Sequence, residues 1–140
     1  MKASRFAIAT HVLVSLEFSA RQVECLVSSA GLATSVNTNP VFVRGLLRKL
    51  LQANLVLTKE GSGGGVQLAR RAASITLRQV YEAVEDEPLI KQNCRPVHKS
   101  CPVSCGISSA LAPIVEDVEE AMLTVLARQN IAGLTNEIEG

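Results

Sequence analysis

The sequence contains no tryptophan, one tyrosine and three phenylalanines, so aromatic residues occupy only 3% of its 140 positions. This scarcity argues against a β-sandwich, whose strands are enriched in aromatic and β-branched residues. Apolar residues nevertheless make up 47% of the chain, which favours packed helices and excludes a mainly disordered protein. We predict a mostly α protein of the size of one ordinary domain.

Long hydrophobic runs are also missing. The N-terminal apolar run, residues 6–16, includes threonine, histidine and serine and is well short of the roughly 20 residues that span a bilayer. The residues after it make a poor signal-peptide cleavage site. We therefore expect a cytoplasmic protein without membrane contact. Four cysteines are too few for a disulfide scaffold, and cytosolic thiols are more often reactive or metal-binding.

Charge is nearly balanced overall, at +1, but it is unevenly distributed. Ten basic and three acidic residues give residues 1–81 a net charge of +7, whereas four basic and ten acidic residues give residues 82–140 a net charge of −6. A basic half suits a polyanion, because neutralising phosphates releases counterions. The asymmetry favours a nucleic-acid partner, with a chance surface imbalance as the alternative.

Two helices are predicted in the first 35 residues. Apolar residues recur at helical spacing over residues 4–18, which indicates a mostly buried helix with Ser4 as its N-cap. His11 lies within this helix, where we expect a core residue. Residues 29–35 predict a short second helix capped by Ser28.

A third helix is predicted to begin at Pro40. Asn39 provides an N-cap, and proline is favoured at the first helical position. Apolar residues at positions 43, 46, 47, 50 and 51 follow the stripe of an amphipathic helix. Gly45 lies off that stripe, where glycine costs roughly 1 kcal/mol relative to alanine. We infer from the glycine at position 45 that another molecule approaches the helix closely there.

A short helix, a turn and an amphipathic helix with arginines on its outer face are typical of a helix-turn-helix, whose second helix enters the DNA major groove. Two β-prone runs within residues 55–70 flank a glycine-rich tip and predict a hairpin wing. The glycines are not followed by Gly-Lys-Ser/Thr at a helix start, which disfavours a nucleotide-phosphate loop. Packed helices with a basic face also occur in proteins that bind no DNA.

The C-terminal half is predicted to contain a loop between two helices. Thr76 and Gln79 have the spacing of a capping box for a helix that ends at Val84. Residues 88–106, with three prolines and three cysteines, indicate an irregular loop. A long amphipathic helix is predicted from Ile107 to Gln129, with Pro113 in its first turn or at a kink. We expect its heptad-spaced stripe to form a homodimer interface, although the stripe could instead cover the domain core. The stripe consists of Leu111, Val115, Val118, Met122 and Val125.

This order of elements resembles the Rrf2 family of bacterial transcription regulators over nearly the whole chain. The most specific segments are residues 39–47, Gly64-Gly65 with Leu68-Ala69-Arg70, and residues 75–85. Residues 35–41 and 101–103 are most similar to the YwnA-like branch. The resemblance implies a winged helix-turn-helix domain at residues 1–87, a cysteine-containing loop at 88–106, and a dimerisation helix with a tail at 107–140.

The resemblance implies a DNA-binding transcriptional regulator, expected to be a repressor, that binds a palindromic site in double-stranded DNA as a homodimer. The residues expected at the DNA are Ser28, Thr38, Asn39, Val41, Arg44, Arg48, Lys49, Thr58 and Lys59. Glu60 stands where wings of this family carry an arginine. Either Lys59 takes over that role or the wing contributes little, and the alternative function is a protein-binding adaptor that keeps the fold without binding DNA.

The loop cysteines Cys94, Cys101 and Cys105 leave several functions open. Some members of the family hold an iron–sulfur cluster with three cysteines in this loop, and others hold none. A cluster requires converging thiolates, and the gaps of six and three residues are less even than the family pattern. The cysteines could also be inert.

Zinc is a second possibility, with His98 as a fourth ligand beside the three thiolates. We favour a thiol switch, with Lys99 or Arg95 as a neighbouring cation. Cys25 is expected to be structural. With two histidines and neither a triad nor a pair of catalytic carboxylates, the chain is not expected to be an enzyme.

Overall fold

A computed structural model describes residues 5–22 and 27–140 of the chain. These residues form a mostly α fold with a two-stranded antiparallel hairpin, as the sequence predicts. In chain order the elements are α1 (Arg5–Gln22), α2 (Ser29–Val36), α3 (Pro40–Gln52), β1 (Val56–Lys59), β2 (Gly65–Leu68), α4 (Leu77–Val84), α5 (Pro102–Ala127) and α6 (Ile131–Glu139). None of the helices in the described ranges is both long and apolar enough to cross a bilayer.

The helix-turn-helix is shaped by hydrogen bonds at helix ends. Ser28 Oγ accepts a hydrogen bond from the Gly31 backbone N–H at 3.0 Å and caps α2. Asn37 ends α2 in the left-handed conformation, at φ 60°. Two residues later, Asn39 Oδ1 accepts a hydrogen bond from the Val41 N–H at 2.7 Å, and α3 begins with Pro40. The predicted caps are confirmed, and only residues 37–39 separate the two helices.

The hairpin forms the wing. Its register pairs Val56 with Leu68 and Lys59 with Gly65, which leaves residues 60–64 as the tip. A Cβ atom at Gly64 would lie 2.1 Å from the Lys59 carbonyl oxygen, so the tip closes tightly only with glycine there. Val27 pairs with Val66 beside β2 and ties the start of the helix-turn-helix to the wing.

The core lies where α1, α3, α4, the hairpin and α6 meet. Leu13, Leu50, Val80 and Ile131 are fully or almost fully buried there. The Ile131 N–H donates to the Ile75 carbonyl at 3.0 Å, and the Leu77 N–H donates to the Gln129 carbonyl at 3.0 Å. Helix α6, which the sequence placed in a tail, therefore completes the core of the N-terminal part of the chain.

Several predicted boundaries change. Helix α1 continues to Gln22, while the predicted cap Ser4 and the cysteine at position 25 lie outside the described residues. Helix α5 begins at Pro102, five residues earlier than predicted, because Cys101 acts as N-cap: its Sγ accepts a hydrogen bond from the Ser104 N–H at 3.4 Å. Pro113 consequently lies in the helix interior and not in the first turn.

His11 is not a core residue. Its ring is exposed on α1, and its Nε2 lies 3.1 Å from Ser35 Oγ on α2. The prediction was wrong because position 11 lies on the side of α1 that the core leaves uncovered.

Candidate nucleic-acid interface

Helix α3 has one buried face and one exposed face. Four residues of the predicted apolar stripe pack inward, Val43, Leu46, Leu47 and Leu50, whereas the fifth, Leu51, is 40% exposed. The opposite face exposes Val41, Arg44, Arg48 and Gln52. This is the arrangement of a helix that offers its outer face to the DNA major groove.

Arg44 and Arg48 have no carboxylate partner among the described residues. Arg44 Nε donates only to the Pro40 carbonyl of its own helix, at 3.4 Å. Some other basic side chains of the described chain are neutralised locally, in the pairs Arg21–Glu17, Arg21–Glu139, Arg78–Glu82 and Lys91–Glu87. The two guanidinium groups on α3 therefore remain available to an external anion.

Lys49 differs from these arginines. Its side chain is half-buried, and its Nζ lies 2.6 Å from Asp86 Oδ2, which also accepts a hydrogen bond from Arg5 at 3.2 Å. The hydrogen bond from Lys49 and its charge, with the smaller effect of Arg5, hold the pKa of Asp86 below its ordinary value. Lys49 thus faces a carboxylate of its own chain, unlike Arg44 and Arg48.

The remaining helix-turn-helix residues of the predicted set lie around the turn. Ser28 and Asn39 are exposed, and each uses a side-chain oxygen to cap a helix. Thr38 is half-buried, and its N–H donates to the Ala33 carbonyl at 3.1 Å. These residues shape the start of α3, and the amide nitrogen of Asn39 remains unused by the cap.

On the wing, Thr58, Lys59 and Glu60 are all exposed. Neither Lys59 nor Glu60 forms an ion pair within the part of the chain that the structure describes. Lys59 is the last residue of β1 and Glu60 the first of the tip, so a cation and an anion lie side by side at the place where the wing would meet a duplex.

The loop cysteines do not converge. Cys94 and Cys105 are exposed and Cys101 is half-buried, and all three are free thiols. Within residues 5–22 and 27–140, no three cysteine, histidine, aspartate or glutamate side chains lie close enough together to hold a metal ion. The predicted ligand set of Cys94, His98, Cys101 and Cys105 is therefore not assembled.

Helix α5 has no buried residue along its 26 positions. Of the predicted interface, Leu111, Val118 and Val125 are exposed, whereas Val115 and Met122 are half-buried. Ile107 and Ile114 are also exposed and share the first group's face. The predicted interface does not include Ile107 or Ile114, although the spacing of residues 107, 111, 114 and 118 indicates one face of a helix.

Comparison with known proteins agrees with this geometry. The family described as "Iron-dependent Transcriptional regulator", Rrf2, matches residues 3–137. The HTH-type transcriptional regulator YwnA of Bacillus subtilis (strain 168) is 35% identical to this chain over 136 residues. The match covers 96% of this chain and 97% of YwnA. The family description and this name both denote regulators of transcription and not enzymes.

Two solved structures show the same fold. A protein assigned as a transcriptional regulator of Lactobacillus plantarum superposes with a TM-score of 0.79 at 22% identity, covering 96% of this chain and 89% of that one. T. potens IscR superposes with a TM-score of 0.71 at 17% identity, covering 99% and 88%. With a family match over almost its full length, the chain belongs to the Rrf2 family of transcriptional regulators.

Proposed function

We propose that this regulator binds palindromic sites in double-stranded DNA as a homodimer, acts in the cytoplasm, and represses transcription by occupying those sites. The observation that carries the proposal is the pair of exposed arginines on α3, Arg44 and Arg48, which no carboxylate of the described chain neutralises. Arginine can bond guanine O6 and N7 bidentately, or can hold a phosphate without reading sequence.

Salt dependence tests the DNA contacts. Each arginine that holds a phosphate should contribute about one unit to the slope of log affinity against log salt, so Arg44→Gln or Arg48→Gln should lower it by that amount. An arginine that reads guanine should instead cost about 1–3 kcal/mol on the preferred site and little on random DNA. The matched control is Arg78→Gln, because Arg78 is already paired with Glu82.

A protein-binding adaptor would give another result. Its affinity for random and selected duplexes would be weak and nearly independent of salt, and the three arginine variants would behave alike. That outcome would refute DNA binding, whereas selective effects at Arg44 and Arg48 would support it.

The exposed face of α5 supports the homodimer. The chain exposes 9125 Å² of surface, whereas a compact monomer of this mass exposes about 7,000 Å². The excess of about 2,000 Å² per chain, or about 4,000 Å² for two chains, is within the range that obligate homodimers bury. Apolar side chains at Leu111, Ile114, Val118 and Val125 supply the contact that would cover it.

Sedimentation equilibrium tests this assembly. Ile114 is 58% exposed, so Ile114→Glu should leave the protomer folded and shift the protein towards monomer. Ile138→Glu on α6, at an equally exposed isoleucine outside α5 (64%), should leave the dimer intact. A wild-type monomer at micromolar concentration would refute the proposed assembly.

A redox input through the cysteine loop is a second, separate proposal. Cys101 Sγ caps α5, and Cys105 lies one helical turn further on. Hydrogen peroxide would oxidise one thiolate to a sulfenic acid and release hydroxide, which solvent protonates to water. A second thiolate would then attack the sulfenic sulfur to form a disulfide and displace hydroxide, which is likewise protonated. The description of the family as iron-dependent does not transfer to this loop, because its described cysteines form no ligand group.

Gel shifts with reduced protein, peroxide-treated protein and Cys101→Ser test this input. We expect peroxide to change the affinity of wild type and not that of the variant. Identical affinity in all three samples would exclude a switch at Cys101 and leave DNA binding untouched.

A further inference from the structure

We propose that Val41 reads the C5-methyl group of a pyrimidine in the major groove, and that Gly45 lets α3 approach closely enough for this contact. The inference rests on the proposed DNA binding and names a base feature that the protein recognises. Two bases can present that feature, thymine and 5-methylcytosine.

Val41 is an unusual residue for its position. It is the second residue of α3 and is 67% exposed, whereas Val43 in the same turn is fully buried. Its N–H is held by Asn39 Oδ1 at 2.7 Å, which fixes the backbone from which the side chain projects. A β-branched valine in a helix strongly prefers one rotamer. Val41 is therefore a rigid, exposed apolar side chain at the N-terminal end of α3, and the N-terminal residues of a recognition helix are the ones that contact base edges.

Gly45 lies one helical turn beyond Val41 on the same exposed face, and Arg48 follows after almost another turn. A Cβ atom at Gly45 would meet no atom of the protein within 4 Å. No internal packing therefore accounts for the glycine, although it weakens the helix. Its absent side chain leaves open space on the outer face of the helix, which would let α3 sit deeper in the major groove.

The chemistry of valine selects its partner. The side chain can neither donate nor accept a hydrogen bond, so it gains nothing from phosphates or from the polar edges of bases. The apolar group in the major groove is the C5-methyl of thymine, and 5-methylcytosine carries the same group. Arg44 lies three residues on, about 4.5 Å along the helix axis. We therefore expect the methylated pyrimidine within one or two base pairs of the Arg44 contact.

Uracil substitution tests the contact. The probes are duplexes that the wild-type protein enriches from a random library, with each thymine replaced in turn by deoxyuridine, which removes only the methyl. We expect one thymine per half-site at which uracil weakens binding about fourfold, the effect of one buried methyl group. Val41→Ala should bind the thymine and uracil duplexes equally at that position, and Val41→Thr, of similar shape, should show reduced discrimination.

Ile138→Ala is the control, because Ile138 is also an exposed apolar residue but lies on α6; it should discriminate as wild type does. A further pair of probes carries cytosine or 5-methylcytosine at the sensitive position. If wild type prefers 5-methylcytosine to cytosine and Val41→Ala does not, the protein recognises the methyl group on either base. If uracil weakens binding but 5-methylcytosine and cytosine bind equally, the protein recognises thymine.

Other results would overturn the inference. If the enriched duplexes bind tightly but no thymine is sensitive to uracil, or if Val41→Ala keeps the discrimination, Val41 does not read a methyl group and DNA binding stands. If no duplex is enriched and binding does not depend on salt, the proposed function itself fails.

Discussion

Replacing Gly45 with alanine should stabilise the protein while weakening its binding to DNA. Gly45 lies inside α3, its φ is not positive, and an added Cβ would meet nothing of the chain within 4 Å. The substitution therefore brings the helix-propensity gain of about 0.5–1 kcal/mol without a packing penalty. For a protein of this size that gain corresponds to a rise in Tm of about 2–4 °C.

The effect on DNA binding should have the opposite sign. If the helix approaches the duplex closely at Gly45, the added methyl group must push the helix or the DNA aside. Inserting a methyl group into a well-packed contact costs about 1–3 kcal/mol, which is about a five- to 150-fold increase in Kd. Thermal unfolding by circular dichroism measures the first effect, and fluorescence anisotropy with an enriched duplex measures the second.

Gly106→Ala is the matched control. Gly106 is also inside a helix, α5, with open space at its Cβ position, but it lies away from α3. It should raise Tm by a similar amount and leave Kd unchanged. A Gly45→Ala protein that is more stable and binds DNA as tightly as wild type would refute the close approach, and one that is less stable would refute the packing argument.

Three further predictions concern the rest of the fold. Asp86→Asn removes the partner of Lys49 and should lower Tm at pH 7. Because the pKa of Asp86 is lowered in the folded state, this loss in Tm should shrink as pH falls through the pKa of Asp86 in the folded protein. Burial, followed by the charges of Glu85 and Glu119, raises the pKa of Tyr81. Its absorbance at 295 nm should therefore titrate above pH 10, and Glu119→Gln should lower the midpoint of that titration. The stability that Tyr81 contributes should fall as pH rises through its pKa in the folded protein. Gly64→Ala places a methyl group against the Lys59 carbonyl and should destabilise the wing by about 1–3 kcal/mol, seen as faster amide exchange in the hairpin.

Each of these predictions has a clear contrary result. Asp117→Asn is the control for Asp86, since Asp117 is exposed on α5 and forms no ion pair within the described residues; equal pH profiles for the two variants would contradict the role of Asp86. Tyr81 is the only tyrosine in a chain without tryptophan, so a midpoint equal to that of the urea-unfolded protein would contradict its burial. Unchanged exchange in Gly64→Ala would contradict the tight tip.

Much of the fold could be predicted from the sequence because its signals are local. Asn39 and Pro40 mark the start of α3, and Thr76 and Gln79 form the capping box of α4, since a cap depends on residues within one turn. The apolar stripe of α3 follows from a period that any observer of the sequence can count. The glycine-rich tip likewise predicts the hairpin between two short β-prone runs.

Contacts between residues distant in the chain could not be predicted in this way. Arg48 and Lys49 are adjacent basic residues on one helix, yet Lys49 faces Asp86, 37 positions away, and no periodicity identifies that partner. The same holds for His11, which the core leaves exposed, and for Ile131, which packs α6 into the core. Periodicity reveals that a helix has an apolar face; only the packed chain decides what covers that face and which charges remain free.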